Sequence, residues 1–376
     1  MANQNSTFEK DIENTVHQVM EGTGKSKTVK VKIKDIAARA GVSTGTVDRV
    51  IHNRGRVSDK TRAQVLQAMK ELQYKPDILA RTLARKDESL IRALIPYPYQ
   101  DSYWKIVRNG IEKGLAEFSP YRVYGQINFY DMNDSLHFEK MGDEILHDPP
   151  DVVLLGSEFH RQSIDLLKAC HQHRIPCIVL NAEINSVPTL SFIGINSYAV
   201  GELAGRIIRQ TRGCSSVLVV HTTTNIENTV HLKNKELGIR SALNQASPDF
   251  QVHQLSIGNE FRKKEAIQFI AHEVFKHGIN TLYFSTSRAY QYAPMLKKRF
   301  PHLFIIGHDV FDQHVKLMKN GTIEILIDQS GYQMGYQGIR SWAHYYIHDR
   351  PIPPTQYLPL EIIYPENLPF FALNHP

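Results

Sequence analysis

Planar polar and aromatic side chains recur at one kind of place in this chain, at or just past the end of an apolar run. Tyr103 and Trp104 follow IRALIPY, Asn181 lies in CIVLNA, and Asn196 closes LSFIGIN. Ser287 closes TLYFSTS with Arg288 behind it, Asp309 lies in FIIGHDV, and Gln329 ends IEILIDQ. Carboxylate, amide and guanidinium groups can exchange hydrogen bonds with the hydroxyls of a polyhydroxylated ligand, while an aromatic ring covers its apolar face. That is recognition chemistry, and the signatures of catalysis do not accompany it. The chain has no GxxxxGK[ST], no GxGxxG after the first run, no GxSxG and no HExxH. His171 and His173 make an HxH pair on a polar helix end, the usual setting of solvated histidines, so no metal and no other cofactor is expected. Glu158 and His160 are weaker candidates, because a helix-initiating loop needs polar residues in any case.

These residues need a scaffold that brings the ends of many runs together. From Ile91 onward eleven strand-like runs, IRALIPY through YLPLEIIYP, alternate with amphipathic stretches. Examples are Ile164, Leu167 and Cys170 after the third run, and Ile267, Ile270, Val274 and Phe275 after the seventh. Such alternation specifies parallel sheets covered by helices on both faces. Eleven strands overfill one comfortable open sheet, so two similar lobes with a cleft between them are expected. The singled-out residues then lie at the carboxyl edges of the strands, where open α/β sheets bind ligands.

The N-terminal part has a different rhythm. Ile33, Ile36, Ala37 and Ala40 make one apolar stripe, and Gly41 supplies the positive φ of a tight turn. Ser43 caps a second helix with a buried face of Val47, Val50 and Ile51. Ser58 caps a third helix in which Val65, Met69 and Leu72 complete the core, and Pro76 stops it. This is helix-turn-helix spacing, which places the second helix in the major groove of DNA. Charge agrees: between Lys30 and Lys86 there are fourteen Lys or Arg against five Asp or Glu, so the net +6 of the chain is concentrated there.

The segment from Ile33 to Tyr74, followed by Tyr74-Lys-Pro-Asp-Ile-Leu-Ala-Arg-Thr-Leu-Ala84, resembles the headpiece and hinge of the lactose-repressor (LacI/GalR) family of bacterial transcription regulators. The pattern KDIA…AGVS…TV.RV…VS..TR..V..A…L.Y.P…A..L carries the resemblance, which continues through the two-lobed body. It implies an α/β protein with a three-helix headpiece and hinge helix, then a periplasmic-binding-protein-like body of two parallel doubly wound sheets. It also implies a homodimer on palindromic double-stranded operator DNA, with a sugar-like effector in the cleft. By resemblance, Thr44 and Gly45 hold base-contact positions and Arg49 is the major-groove arginine. Ser43, Thr46, Ser58 and Thr61 fall where phosphates are held, Arg56 where a further DNA contact is added, and Leu83 where a leucine wedges into the central minor groove. Asp48, where Ser is common, could accept from cytosine N4 or hold Arg49.

In the body the resemblance assigns Tyr103, Trp104, Asn181, Asn196, Lys235, Ser287, Arg288, Asp309 and Gln329 to the effector, with Lys235 standing where relatives usually carry Arg. The domain reading is a flexible arm over 1–29, headpiece 30–76, hinge and linker 77–89, and body 90–376. A carbohydrate-gene repressor is expected, with a corepressor-dependent or activating regulator as the alternative. A sugar-binding transport protein would share the body but not the headpiece.

Composition sets the outer bounds. With 376 residues, 42% hydrophobic and 22% charged, the chain is long and apolar enough for a large buried core. No apolar run approaches about 18 residues, and the N-terminus lacks a basic segment followed by an apolar one, so neither export nor membrane insertion is expected. Three cysteines without a CxxC pair suit a reducing cytoplasm.

Overall fold

The computed structural model describes residues 31–51, 55, 57–72, 74, 87–156, 158–211, 213–223, 229–245, 250–258 and 261–374. The arm 1–29, Arg56 and positions 77–86 of the hinge and linker, with Leu83, lie outside the described residues. The chain divides into two compact units, Met1–Ile78 and Leu79–Pro376. No helix among the described residues is long and apolar enough to cross a membrane.

The first unit holds α1 (Ile33–Ala40), α2 (Thr44–Ile51) and α3 (Asp59–Glu71). Each begins on a short-range bond. The Asp35 carboxylate accepts from the Lys32 amide at 2.8 Å, the Ser43 hydroxyl from Thr46 N–H at 3.1 Å, and the Ser58 hydroxyl from Thr61 N–H at 3.2 Å. Gly41 ends α1 at φ 65°, the left-handed turn expected of it. Ile36, Ala37, Val47, Val50, Val65 and Ala68 form the buried centre, with Ile51, Met69 and Leu72 packed around it. The expected inward stripe of α3 is thus widened by Ala68. An ion pair from Arg39 to Glu71 joins α1 to α3.

The second unit is two six-stranded sheets. The first contains β1 (Ser89–Pro96), β2 (Val123–Tyr130), β3 (Val152–Gly156), β4 (Cys177–Leu180) and β5 (Ser191–Gly194), with β11 (Thr355–Tyr357) at its edge, in the order β11-β5-β4-β3-β1-β2. The second contains β6 (Ser216–His221), β7 (Gln251–Ser256), β8 (Thr281–Phe284), β9 (Phe304–His308), β10 (Ile325–Asp328) and β12 (Glu361–Ile363), in the order β12-β10-β9-β8-β6-β7. Every pairing is parallel except β10 with β12. Strands β3, β4, β5, β6, β8 and β10 are buried along their whole length, as parallel strands between helical layers must be.

The helices covering these sheets are α4 (Ser102–Phe118), α5 (Ser135–His147), α6 (His160–Gln172), α7 (Ser197–Gln210), α8 (Val230–Asn244), α9 (Lys263–His277), α10 (Ala289–Arg299), α11 (Asp312–Lys319), α12 (Gly331–His348) and α13 (Leu368–Asn374). On α9 the expected apolar face is narrower than its spacing suggested. Ile270 and Val274 are buried, whereas Phe275 stands 81% exposed. Two helix crossings bring backbones into contact. A Cβ at Gly110 of α4 would stand 2.0 Å from the Tyr332 carbonyl of α12, and one at Gly201 of α7 would stand 1.9 Å from the Lys235 carbonyl of α8.

The chain passes between lobes three times, after β5, after β10, and between β11 and β12. This corrects the reading of YLPLEIIYP as one strand: β11 ends at Tyr357 in one sheet and β12 starts at Glu361 in the other. Pro359, which has no N–H to give a ladder, sits in the crossing. The crossings are tied together, since Leu358 N–H donates to the Gly194 carbonyl at 2.7 Å and the Ser330 hydroxyl to the Pro359 carbonyl at 3.0 Å.

Candidate functional site

The carboxyl edges of the two sheets enclose a cleft of about 840 Å³. Eight of the nine effector candidates line it: Tyr103, Trp104 and Asn181 from the first lobe, Lys235, Ser287, Arg288 and Asp309 from the second, and Gln329 at a crossing. Asn196 does not. It is exposed and its Oδ1 caps α7, accepting from Ala199 N–H at 3.0 Å, so the residue after β5 starts a helix instead of facing the cleft.

The first-lobe wall starts at Asp101, the N-cap of α4, whose Oδ1 accepts from Tyr103 N–H at 3.0 Å. The same carboxylate accepts from the Ser287 hydroxyl at 2.7 Å and from Arg288 Nε at 3.1 Å, linking the two lobes directly. Arg288 Nη2 also reaches Met132 Sδ at 3.0 Å. The Tyr103 hydroxyl donates to Asn181 Oδ1 at 3.1 Å, and Trp104 Nε1 donates to Glu158 Oε1 at 3.2 Å. Burial, reinforced by the charge of Asp101, pushes the Glu158 carboxyl up to about 7. Asn181 and Asp309 both adopt left-handed backbone, at φ 70° and 65°, directly after equivalent strands of the two sheets. Asn and Asp take that conformation more readily than other non-glycine residues.

The second-lobe floor is a continuous chain of bonds. Lys235 Nζ donates to the Ser285 carbonyl at 2.9 Å and to Gln329 Oε1 at 2.7 Å. Gln329 Nε2 donates to Asp309 Oδ2 at 2.7 Å, and its backbone N–H to Oδ1 at 3.1 Å. Burial draws the Lys235 ammonium down to about 8. Burial, then the charge of Asp328, holds the Asp309 carboxyl well above the usual carboxylate range. Among the described residues, two of the three Lys235 N–H groups are taken by protein acceptors, leaving one for the cleft.

Sequence reasoning missed the support beneath this floor. His221 Nδ1 lies 2.9 Å from the Ser285 hydroxyl and its Nε2 lies 3.0 Å from Glu236, which also accepts from Arg240 Nε at 2.7 Å. Ser285 and His221 are fully buried, and the Ser285 hydroxyl also reaches the Val220 carbonyl at 3.3 Å. The chain holds the segment whose carbonyl receives Lys235. Asp101 and His231 were missed as well, while Glu158 and His160, the weaker candidates, do line the cleft. Burial lowers His231 to about 3, so it faces the cleft as neutral imidazole. One signal was available: Asp101 directly precedes a helical stretch, the position of an N-cap.

In the first unit, Ser43, Thr44, Gly45, Asp48 and Arg49 are exposed and Thr46 is half-buried. On α2 the exposed residues alternate with Val47 and Val50 at helical spacing, giving one polar face opposite the core. Ser58 is exposed and Thr61 half-buried at the start of α3, where both hydroxyls serve the cap, 2.8 Å apart. The polar face and the two capped helix starts offer hydroxyl, N–H and guanidinium donors suited to phosphates and base edges.

A capped three-helix unit followed by a bilobal sensor fold with a polar interlobe cleft defines the class of ligand-binding bacterial regulators. The family model described as periplasmic binding protein domain matches residues 92–346, and that of bacterial regulatory proteins, lacI family, matches residues 32–77. The chain belongs to the LacI family of bacterial regulatory proteins, with a periplasmic-binding-protein-like body. The HTH-type transcriptional regulator MalR of Streptococcus pneumoniae is 41% identical over 91 residues, which span 23% of this chain and only 28% of MalR. The sucrose operon repressor of Streptococcus mutans is 27% identical over 281 residues, spanning 74% of this chain and 82% of that protein. A crystal structure described as a LacI transcriptional regulator from Bacteroides fragilis superposes with a TM-score of 0.70 at 20% identity, over 76% of this chain and 99% of that one, a likeness of fold.

Proposed function

We propose that this protein is a ligand-responsive DNA-binding transcription regulator, a repressor of carbohydrate-utilisation genes acting in the cytoplasm. Its headpiece (30–76) reads half-sites of a palindromic operator as part of a homodimer, its hinge (77–89) enters the central minor groove, and its body (90–376) binds a sugar-like effector. The observation that carries this reading is the Lys235–Gln329–Asp309 chain facing Tyr103, Trp104 and Asn181 across the cleft. Planar amide and carboxyl groups beside aromatic rings are the equipment for a hydroxylated ring. The name of the sucrose operon repressor supports the same direction.

In the headpiece, Arg49 reads a guanine edge, Thr44, Gly45 and Asp48 border the bases, and Ser43, Thr46, Ser58 and Thr61 set the register on phosphates. Arg56 adds a contact and Leu83 is the minor-groove wedge. Effector closes the lobes about their three crossings and changes the spacing of paired hinges, so that effector releases the operator.

Selection of bound duplexes from a random library, followed by footprinting, tests the reading. A single two-fold symmetric site protected by a dimer is expected. Retention of all sequences alike would defeat it.

A further inference from the structure

A second group of rings, Tyr97 and Tyr99 on the loop between β1 and α4 with Phe129 of β2 and His137 of α5, lies outside the cleft lining, next in sequence to the cleft residues Asp101, Met132 and Ser135. Tyr99 is 77% exposed and stacks on Tyr97, with centroids 5.0 Å apart and planes 27° apart. Tyr97 in turn stacks on Phe129 at 5.8 Å and 19°, and on His137 at 6.0 Å and 24°. Single exposed aromatics are ordinary, but a stack of near-parallel rings ending in an open face is a surface prepared for another flat partner.

The loops that carry the stack are fixed. Gln100 N–H donates to the Tyr97 carbonyl at 3.1 Å, and the Gln100 side chain donates to Asp131 Oδ1 at 2.8 Å while accepting from Met132 N–H at 3.1 Å. Asp131 N–H donates to His137 Nδ1 at 3.0 Å, which orients the ring that borders Tyr97. Tyr99 stands 77% exposed beside this clamp.

The stack also adjoins the cleft. Tyr99 and Gln100 lead directly into Asp101, the residue that joins the lobes, and Met132 and Ser135 from the neighbouring loop and α5 are themselves cleft wall. A volume of about 840 Å³ is near the upper end of the roughly 300–1,000 Å³ typical of small-molecule pockets, more than one six-membered ring fills. The inner polar set of Lys235, Asp309 and Gln329 is on the scale of a single ring, which leaves the outer cleft and the stack for what is attached to it.

We propose that the effector is an oligosaccharide, with one ring held by the Lys235–Gln329–Asp309 chain and a later ring stacked on the open face of Tyr99. This rests on the reading of the cleft as a sugar site. The axial hydrogens of a pyranose ring lie flat on the aromatic face. The Tyr97–Tyr99 stack is thereby an outer subsite that selects for chain length, and the inner chain selects for the terminal ring.

Calorimetric titration of the full-length protein with mono-, di- and trisaccharide ladders of α-1,4, β-1,4 and α-1,6 linkage tests this. In one ladder, affinity should rise about tenfold or more with added rings, the gain of one aromatic contact. Tyr99→Ala should abolish that rise while leaving monosaccharide affinity within about twofold, because the inner ring is bound at a separate place. Tyr99→Phe, which keeps the stack, should restore the rise. A monosaccharide bound as tightly as its oligomers, or an unchanged ladder in Tyr99→Ala, overturns the outer subsite and leaves the sugar reading standing. Failure of every saccharide to bind, where a non-sugar metabolite does, overturns both.

Discussion

The helix-turn-helix unit and the interlobe cleft use polar residues in opposite ways. In the small unit the helix starts are closed by partners three positions away, Lys32 with Asp35, Ser43 with Thr46 and Ser58 with Thr61, and all of these residues are exposed or half-buried. In the cleft the partners are 78 positions apart for Tyr103 and Asn181, 94 for Lys235 and Gln329, and 186 for Asp101 and Ser287, and all six are buried. A surface that meets a large, rigid, highly charged duplex can be specified locally and presented preformed. A pocket that must respond to a small molecule needs groups from separate bodies, so that the ligand's bonds differ between two arrangements of those bodies.

If this contrast is right, the largest effect comes from cutting the long-range chain. Asp309→Ala leaves the Gln329 side-chain amide and backbone N–H without their acceptor. It should abolish the effector response and lower stability of the body by about 2–4 kcal/mol, with operator affinity in the absence of effector retained. Effector titration and chemical denaturation of the same variant check it, and Asp309→Asn, which keeps the shape, separates lost binding from lost stability. A full effector response in either variant would move the site elsewhere.

On the other side of the comparison, Arg49→Ala should cost about 1–3 kcal/mol of operator affinity and relax preference at one base pair, read by competition with point-substituted operators. Unchanged base preference would take Arg49 out of direct readout. Ser58→Ala removes the cap of α3 and should destabilise the first unit by about 1 kcal/mol, visible as earlier melting of that unit with the effector response intact. A fall in effector affinity in that variant would contradict the separation of the two kinds of site.

The mildest effect is that of pH. The Glu158 carboxyl sits at about 7 against an ordinary 4.5, so the folded protein holds this proton more tightly than the unfolded chain. Its contribution to stability is complete below the ordinary value and is lost as pH rises toward and through about 7. An effector hydroxyl that donates to this carboxyl favours the ionised form, so affinity should rise severalfold, about one decade at most, as pH passes upward through 7. Glu158→Gln should flatten both slopes, and an unaltered slope would place the titrating group elsewhere.

What the sequence made legible follows the same division. The caps Ser43 and Ser58, the turn at Gly41 and the core at Ile36, Val47 and Val65 depend on neighbours within a few residues, and spacing alone located them. The alternation of runs and helices likewise led to two sheets, because each strand's burial is written in its own residues. The cleft was legible only as positions at strand ends. Nothing local in DSYW shows that Asp101 meets Ser287 and Arg288, or that His221 and Glu236 underpin Ser285. Asn196 shows the converse, a correct position past a strand whose side chain is used by the next helix. The split of YLPLEIIYP depends on two sheets competing for one short segment, with Pro359 giving the only local sign.

The central claim is that cleft and operator are coupled. Measuring operator affinity with and without saturating effector, and effector affinity with and without operator, on the intact protein addresses it directly. The two ratios should be equal and lie between about 5 and 150, corresponding to about 1–3 kcal/mol of coupling. An operator affinity that stays the same whether the cleft is filled or empty would contradict it.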